Sequence, residues 1–157
     1  MLFRSLLDSI AILKHLPSGP YLDVGTGAGL PGIPLATILK DETFSLVDIV
    51  QKKCAFLRQA KAELALDNVT VMCAKIDQWH PTQHFACIVA RAYAEIPKFL
   101  ESCKHLLAPG GQFAAMKGRL PEQELANLPS DYEIQKVIPL TIPEVDAERH
   151  LVLIGKK

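Results

Sequence analysis

A glycine-rich segment has the residue types and spacing that ligand binding at a strand–helix junction requires. It reads Asp23-Val24-Gly25-Thr26-Gly27-Ala28-Gly29-Leu30-Pro31-Gly32 and follows a short apolar run. Glycine adopts positive φ and lets a ligand approach the backbone without a Cβ clash. A helix that begins there adds unpaired N–H groups and the positive end of its dipole. The segment therefore predicts a loop for a nucleotide-like cofactor, although a tight turn without a ligand would use the same residues.

The glycine spacing is compatible with two cofactors. Read from Gly27, it fits the G-x-G-x-x-G pattern of dinucleotide-binding proteins. Read from Gly25, it fits the G-x-G-x-G loop of S-adenosylmethionine-dependent methyltransferases. Gly25, Gly27, Gly29 and Leu30 are cofactor-binding candidates in the second case.

Acidic residues follow the next two predicted strands. Asp48 ends the second strand, where a carboxylate can accept both ribose hydroxyls of an adenosine; alternatively, it caps the following helix. Ile76 and Asp77 follow the third strand and are placed to cover an adenine ring and to accept its exocyclic amine. Trp79 lies nearby, but a lone tryptophan is more typical of a core or of the rim of a site.

Cations follow the fourth and fifth predicted strands. Arg91 ends an apolar run, and an arginine there requires a partner: Asp77, a cofactor carboxylate, an RNA phosphate or a structural ion pair. Lys117 and Arg119 follow the fifth strand at the same edge. A stretch without acids contains Lys52, Lys53 and Arg58, and it is either an RNA-binding patch or a solvated helix face.

The elements that position these residues alternate between short apolar runs and amphipathic stretches. Strands are predicted at 21–24, 44–47, 69–73, 86–90, 112–116, 132–140 and 150–154, and helices at 31 onward, 51–66 and 96–107. A leading helix within 1–17, with Leu2 and Leu6 at helical spacing, precedes a core over 18–157. Buried strands alternating with helices predict an α/β three-layer sandwich with a mostly parallel sheet. The last two strands suit an antiparallel hairpin at one edge.

Length and composition limit the class of protein. The 157 residues match one domain of about 150 residues, so we expect a single domain over 1–157. Seventeen basic residues balance seventeen acidic ones, which excludes an overall electrostatic attraction to nucleic acid but not a local patch. The cysteines lack zinc or redox spacing, and Pro81 separates His80 from His84, so we expect no metal. No apolar stretch is long enough for a membrane span, and no signal peptide is evident, so a cytoplasmic location is expected.

With these residues assembled, the chain resembles the glucose-inhibited division protein B family, also called ribosomal RNA small subunit methyltransferase G. The matching runs are Leu7-Asp8-Ser9-Ile10, the glycine-rich segment extended to Leu35, Lys52-Lys53-Cys54-Ala55-Phe56-Leu57, Ala90-Arg91-Ala92-Tyr93-Ala94, Lys117-Gly118 and Arg149-His150-Leu151-Val152. They cover nearly the whole chain. The family's N-terminal helical segment is expected to be absent, and Ser5 stands where the family has a histidine.

The resemblance implies a class I methyltransferase fold with a Rossmann-like, mostly parallel seven-stranded sheet. It implies transfer of a methyl group from S-adenosylmethionine to N7 of a specific guanine in 16S rRNA, free or in the small ribosomal subunit. The sequence does not give the oligomeric state, for which a monomer is favoured. It assigns cofactor contacts to Gly25, Leu30, Ile76, Asp77 and Arg91. No catalytic base is expected, because guanine N7 carries a free lone pair and positioning supplies the catalysis.

Three alternatives remain open at this point. A nicotinamide-dependent oxidoreductase is disfavoured because about 125 residues after the loop leave little room for a second half of the fold. A methyltransferase acting on a small molecule or a protein would use the same glycine loop. A form that binds the cofactor without activity is the third alternative.

Overall fold

The structure is a computed structural model that describes the backbone of residues 2–157 and the side chains of residues 3–157. Within that range one sheet contains seven strands: β1 (Tyr21–Val24), β2 (Phe44–Asp48), β3 (Val69–Cys73), β4 (Phe85–Arg91), β5 (Leu107–Lys117), β6 (Tyr132–Pro139) and β7 (His150–Lys156). The same range contains five α-helices: α1 (Leu2–Ala11), α2 (Gly32–Ile38), α3 (Gln51–Glu63), α4 (Ile96–Cys103) and α5 (Glu122–Ala126). Met1 and the side chain of Leu2, which belong to the predicted leading helix, lie outside the described residues.

The strand order places a ligand-binding crevice in the middle of the sheet. The order is β3-β2-β1-β4-β5-β7-β6, and the first five strands in this order pair in parallel with their neighbours. Strand β7 pairs antiparallel with both β5 and β6, which confirms the predicted hairpin at the edge. The order reverses between β1 and β4, and open α/β sheets bind ligands at the carboxyl ends of strands at such a switch point.

Helices cover both faces of the sheet. On one face, Leu35 of α2 and Leu57 of α3 are completely buried with Leu46 of β2. On the other face, Phe99 of α4 packs with Phe113 of β5 at a ring-centroid distance of 5.3 Å, and both are buried. Two apolar layers of this kind, one on each side of the sheet, confirm the predicted three-layer α/β sandwich.

The fifth strand begins earlier than the sequence predicts. Leu107 pairs with Phe85, and Gln112 pairs with Cys87, so the register shifts between these two pairs. Pro109-Gly110-Gly111 therefore lies within β5 as an irregularity, not as a turn before the strand, and Gly110 has φ +75°. Extra residues in one strand of a pair are accommodated as a bulge.

Helix boundaries also differ from the predicted ones. Helix α3 ends at Glu63 and not at Leu66, because Ala65 adopts a left-handed φ of 51°. The predicted helix over 96–107 is α4 followed by a 3-10 turn over Lys104–Leu106. Helix α5 was not predicted, since five residues are too few to establish a helical period.

Across the described part of the chain, no helix combines the length and the apolar character that crossing a bilayer requires. The same residues contain no group of three or more histidine, cysteine, aspartate or glutamate side chains arranged to hold a metal ion.

Candidate functional site

A cavity of about 400 Å³ opens at the carboxyl ends of the parallel strands. Segments that follow β1, β2, β3 and β4 contribute to its wall, and we call it the first cavity. Four of the predicted cofactor residues line it, namely Gly25, Asp48, Ile76 and Asp77. Its volume lies within the range of about 300–1,000 Å³ that is typical of small-molecule sites.

Asp48 connects the second strand to the glycine loop. Its Oδ2 accepts the backbone N–H of Gly27 at 2.9 Å, and its Oδ1 accepts the backbone N–H of Val50 at 3.0 Å. Val50 immediately precedes α3, and no side-chain hydrogen bond caps that helix. The bond from Val50 therefore holds the segment before α3, and the alternative prediction that Asp48 caps the helix is wrong. Each oxygen retains a further lone pair, and the residue lines the first cavity although it is only 6 % exposed.

Gly25 and Gly29 use their lack of a side chain in different ways. Gly25 has φ +63°, and a Cβ there would lie 2.7 Å from Cδ1 of Tyr93, another residue of the cavity wall. Gly29 has φ +86°, and a Cβ there would lie 2.4 Å from Cδ1 of Ile33. Gly25 therefore shapes the first cavity, whereas Gly29 permits the close packing of the loop on α2.

Asp23 of β1 fixes the glycine loop through hydrogen bonds. Its Oδ2 accepts the hydroxyl of Thr26 at 2.6 Å and the backbone N–H of Gly32 at 2.9 Å. Its Oδ1 is buried without a hydrogen-bond partner among the described residues. Burial raises the pKa of Asp23 to about 7, while Thr26, Gly32 and the positive charge of Arg91 oppose that rise. The sequence motif includes Asp23, but the motif alone does not show that its carboxyl group is buried with one oxygen unpartnered.

The segment after β3 forms another part of the wall of the first cavity. Ile76 is buried, and Asp77 is exposed and forms an ion pair with Lys75 at 3.8 Å. Tyr93 lines the same cavity, and its hydroxyl donates to Oγ of Ser102 at 3.2 Å. Burial raises the pKa of Tyr93. The sequence does not indicate Tyr93 and Ser102 as wall residues, because their place at the cavity depends on how the loop after β4 and helix α4 pack.

Gly27 and Leu30 belong to the loop but are not among the residues that line the first cavity. Gly27 is linked to the cavity wall by its hydrogen bond to Asp48. A Cβ at Gly27 would meet no atom within 4 Å. Leu30 donates its backbone N–H to the carbonyl of Thr26 at 3.2 Å. This bond closes the turn that leads into α2.

Arg91 and Lys117 lie in a second cavity of about 290 Å³ beside the first. Ala92 lines both cavities, so the two meet at the end of β4. Arg91 donates from Nη2 to Oγ of Ser5 at 3.2 Å, and it forms no ion pair with a carboxylate in the described residues. Lys117 pairs with Glu124 at 2.8 Å and donates to the carbonyl of Ala94 at 3.1 Å.

The residues of the predicted basic patch on α3 and the predicted cation Arg119 differ in their distance from the first cavity. Lys52 and Arg58 are exposed on α3, as is Lys53, but Lys53 also lines the first cavity. Arg119 is exposed beyond β5, at a surface depression that includes Glu148 and adjoins the second cavity at Gly118 and Arg149. The structure therefore brings Lys53 to the cofactor candidates and leaves Lys52, Arg58 and Arg119 at the surface.

A profile of the family described as "GidB: rRNA small subunit methyltransferase G" matches residues 1–152. A ribosomal RNA small subunit methyltransferase G from Methylobacillus flagellatus is 44 % identical over 98 % of this chain and 74 % of its own length. A protein of the same name from Laribacter hongkongensis is 43 % identical over 99 % of this chain and 75 % of its own length.

Solved structures share the fold at low sequence identity. A methyltransferase from Aquifex aeolicus, described as dependent on S-adenosylmethionine, superimposes with a TM-score of 0.73 at 20 % identity, covering 96 % of this chain and 90 % of that chain. TrmN from Thermus thermophilus superimposes with a TM-score of 0.73 at 19 % identity, covering 97 % of this chain and 48 % of that chain. The predicted class I methyltransferase fold is confirmed.

Proposed function

Because the chain belongs to the rRNA small subunit methyltransferase G family, we propose that it transfers a methyl group from S-adenosylmethionine to N7 of one guanine in 16S rRNA. The family and the fold give a methyltransferase whose cofactor is S-adenosylmethionine. The guanine, its N7 atom and the residues that bind each ligand are the parts that we propose.

The observation that carries the proposal is the convergence of Gly25, Asp48 and Ile76 on one cavity at the switch point of the sheet. These residues fit an adenosyl group, since Asp48 offers lone pairs for ribose hydroxyls and Ile76 offers an apolar surface for adenine. Asp77 would accept the exocyclic amine. A Cβ at Gly27 would meet no atom within 4 Å, so the glycine loop leaves open space there.

The chemistry requires little of the side chains. When bound, S-adenosylmethionine supplies a methyl group on a sulfonium, whose sulfur keeps the electron pair of the C–S bond as the N7 lone pair forms the new N–C bond. No proton leaves N7, so the site needs no general base. The chain's contribution is to hold the acceptor in line with the methyl group, an effect that can reach about 7–11 kcal/mol in well-oriented reactions.

Arg91 supports an RNA substrate. Arg91 lines the second cavity, which adjoins the first at Ala92, and its guanidinium has no carboxylate partner in the part of the chain that the structure describes. A phosphate group would satisfy it through bidentate hydrogen bonds. We assign Arg91 to a backbone phosphate near the acceptor or to the cofactor carboxylate, and not to the base, because a cation against the ring would oppose methylation.

Mass mapping of 16S rRNA from a bacterial strain that lacks its own methyltransferase G tests the proposal. Expression of this chain is expected to restore 7-methylguanosine at one position. A matched strain that expresses Asp48→Asn is expected to restore much less. If the wild-type chain is folded, binds S-adenosylhomocysteine and restores no methyl group in 16S rRNA, the proposed substrate is wrong and another acceptor must be sought.

A further inference from the structure

The second cavity contains a buried carboxylate on a helix that the proposed reaction has not yet used. Asp8 of α1 lines this cavity with Arg91 of β4 and Arg149, which precedes β7. Asp8 is only 7 % exposed, and its Oδ1 accepts Nε of Arg149 at 3.1 Å. Buried charges of this kind require partners, and here the partner is supplied from the opposite end of the chain.

The second oxygen of Asp8 remains available. Oδ2 has no hydrogen-bond partner among the described residues, and it is not one of the side-chain atoms sealed from solvent. Arg149 fixes the orientation of the carboxylate through its own bond. Asp8 therefore presents an oriented acceptor to a cavity that adjoins the proposed cofactor cavity at Ala92.

We propose that the second cavity receives the acceptor guanine and that Asp8 accepts hydrogen bonds from its N1–H and its 2-amino group. This inference rests on the proposed function. Guanine places these two donors on the side of the ring opposite to the imidazole edge that carries N7. A base held by Asp8 on that side turns N7 toward the opposite wall of the cavity, and the carboxylate distinguishes guanine from adenine, which has no N1–H.

A carboxylate at this position also favours the reaction itself. The guanine ring gains a positive charge as N7 forms its bond to the methyl carbon, and its N1–H becomes a stronger donor. The bond to Asp8 is therefore stronger in the transition state than in the ground state, which is the condition for an interaction to raise the rate. Arg149 acts as a positioning residue, because its Nε donates to Oδ1 of Asp8 and so orients the carboxylate that would contact the base.

A purely structural role makes a different prediction. Among the described residues, two side-chain hydrogen bonds attach α1 to the ends of strands, one from Arg149 to Asp8 and one from Arg91 to Ser5. If Asp8 only anchored the helix, its loss would slow methylation of every acceptor base to the same extent. If Asp8 contacts the base, its loss changes the preference between bases.

The test uses 16S rRNA ligated from two pieces, so that the nucleotide found by mass mapping is either guanosine or inosine. Inosine keeps N7 and N1–H but lacks the 2-amino group. For the wild-type chain we expect kcat/KM to be at least tenfold higher with guanosine. For Asp8→Asn we expect that ratio to fall below about threefold, because the amide presents N–H groups to the donors of the base.

Ser5→Ala is the matched control, since it removes the other attachment of α1 and should leave the guanosine-to-inosine ratio unchanged. Titration with S-adenosylhomocysteine establishes that each variant is folded. Equal rates of the wild-type chain on the two RNAs would overturn the inference without any variant, and so would an unchanged ratio in folded Asp8→Asn. Absence of methylation on both RNAs by the wild-type chain would instead overturn the proposed function on which the inference rests.

Discussion

Gly27 donates its backbone N–H to Oδ2 of Asp48 at 2.9 Å, although the two residues lie 21 positions apart in the chain. The bond joins the loop after β1 to the end of β2. Two segments that could each bind part of an adenosyl group are thereby held in a fixed relation before any ligand arrives. Preorganisation of this kind favours binding because fewer conformations are lost when the ligand associates.

Replacement of Asp48 by asparagine is expected to weaken binding of S-adenosylhomocysteine by at least tenfold. The substitution removes the charge and one of the two acceptor oxygens that Gly27 and Val50 use. Hydrogen bonds to charged groups contribute about 1.5–3 kcal/mol each. Isothermal titration measures the change. Asp67→Asn is the control. Asp67 is exposed and lies just before the amino end of β3, away from the carboxyl ends of the strands, so this variant should bind as the wild type does.

A methyl group at position 25 is expected to reduce cofactor affinity at least tenfold. Gly25→Ala places a Cβ 2.7 Å from Cδ1 of Tyr93 in the cavity wall, at a φ of +63°. Gly110→Ala, in β5, introduces a similar strain at φ +75° with no atom within 4 Å. This control is expected to lose about 1–2 kcal/mol of unfolding free energy through its backbone alone, with no loss of affinity. Equal affinity losses in both variants would show that Gly25 has no special role.

Asp23 is expected to make the stability of the protein fall as the pH rises. Its pKa is raised by burial to about 7 from 3.8. Between about pH 4 and about pH 7 the folded chain holds a proton that the unfolded chain has released, so the free energy of unfolding decreases across this interval. Asp23→Asn removes the titration. Thermal unfolding across that interval is therefore expected to show a smaller decline in Tm for the variant than for the wild type. Identical declines would contradict the assignment.

Charge reversal on α3 is expected to separate RNA binding from cofactor binding. Lys52 and Arg58 are exposed, so the double substitution Lys52→Glu and Arg58→Glu should weaken binding to 16S rRNA without altering affinity for S-adenosylhomocysteine. The slope of log affinity against log salt concentration should decrease in magnitude by about 1 to 2, because phosphate contacts are lost. Lys53 is unsuitable for this test because it lines the first cavity.

The control for this measurement is the double substitution Lys136→Glu and Lys156→Glu, which reverses the same number of charges on β6 and at the end of β7. Both residues are exposed and lie away from the carboxyl ends of the parallel strands. If this pair weakens RNA binding as much as the α3 pair does, the effect reflects net charge and the basic patch on α3 is not an RNA contact.

The sequence was sufficient to predict the fold because its local patterns agree with the final architecture. Apolar strands alternate with helices, and the glycine loop follows β1 as expected. The exceptions are local. Pro109-Gly110-Gly111 has the composition of a turn, but pairing of β5 with β4 on both sides of it keeps it inside the strand. Pairing between the two strands therefore determines the structure of this segment, despite its turn-like composition.

The candidate site was predictable only in part. Asp48 ends β2, and the alternation of strands and helices along the chain places it at the carboxyl edge of the parallel sheet. The pairing of Asp8 with Arg149 could not be predicted, because these residues lie 141 positions apart and no local spacing relates them. Likewise, the ion pair of Lys117 with Glu124 depends on α5, a helix too short to recognise from periodicity.

A crystal structure of the protein with S-adenosylhomocysteine tests the central claim most directly. The account predicts the adenosyl group in the first cavity, with the ribose hydroxyls within hydrogen-bond distance of Asp48 and adenine against Ile76. Calorimetric titration of the same sample should detect S-adenosylhomocysteine and no binding of NAD. A first cavity that stays empty at saturating S-adenosylhomocysteine, or that takes up NAD in its place, would contradict the account.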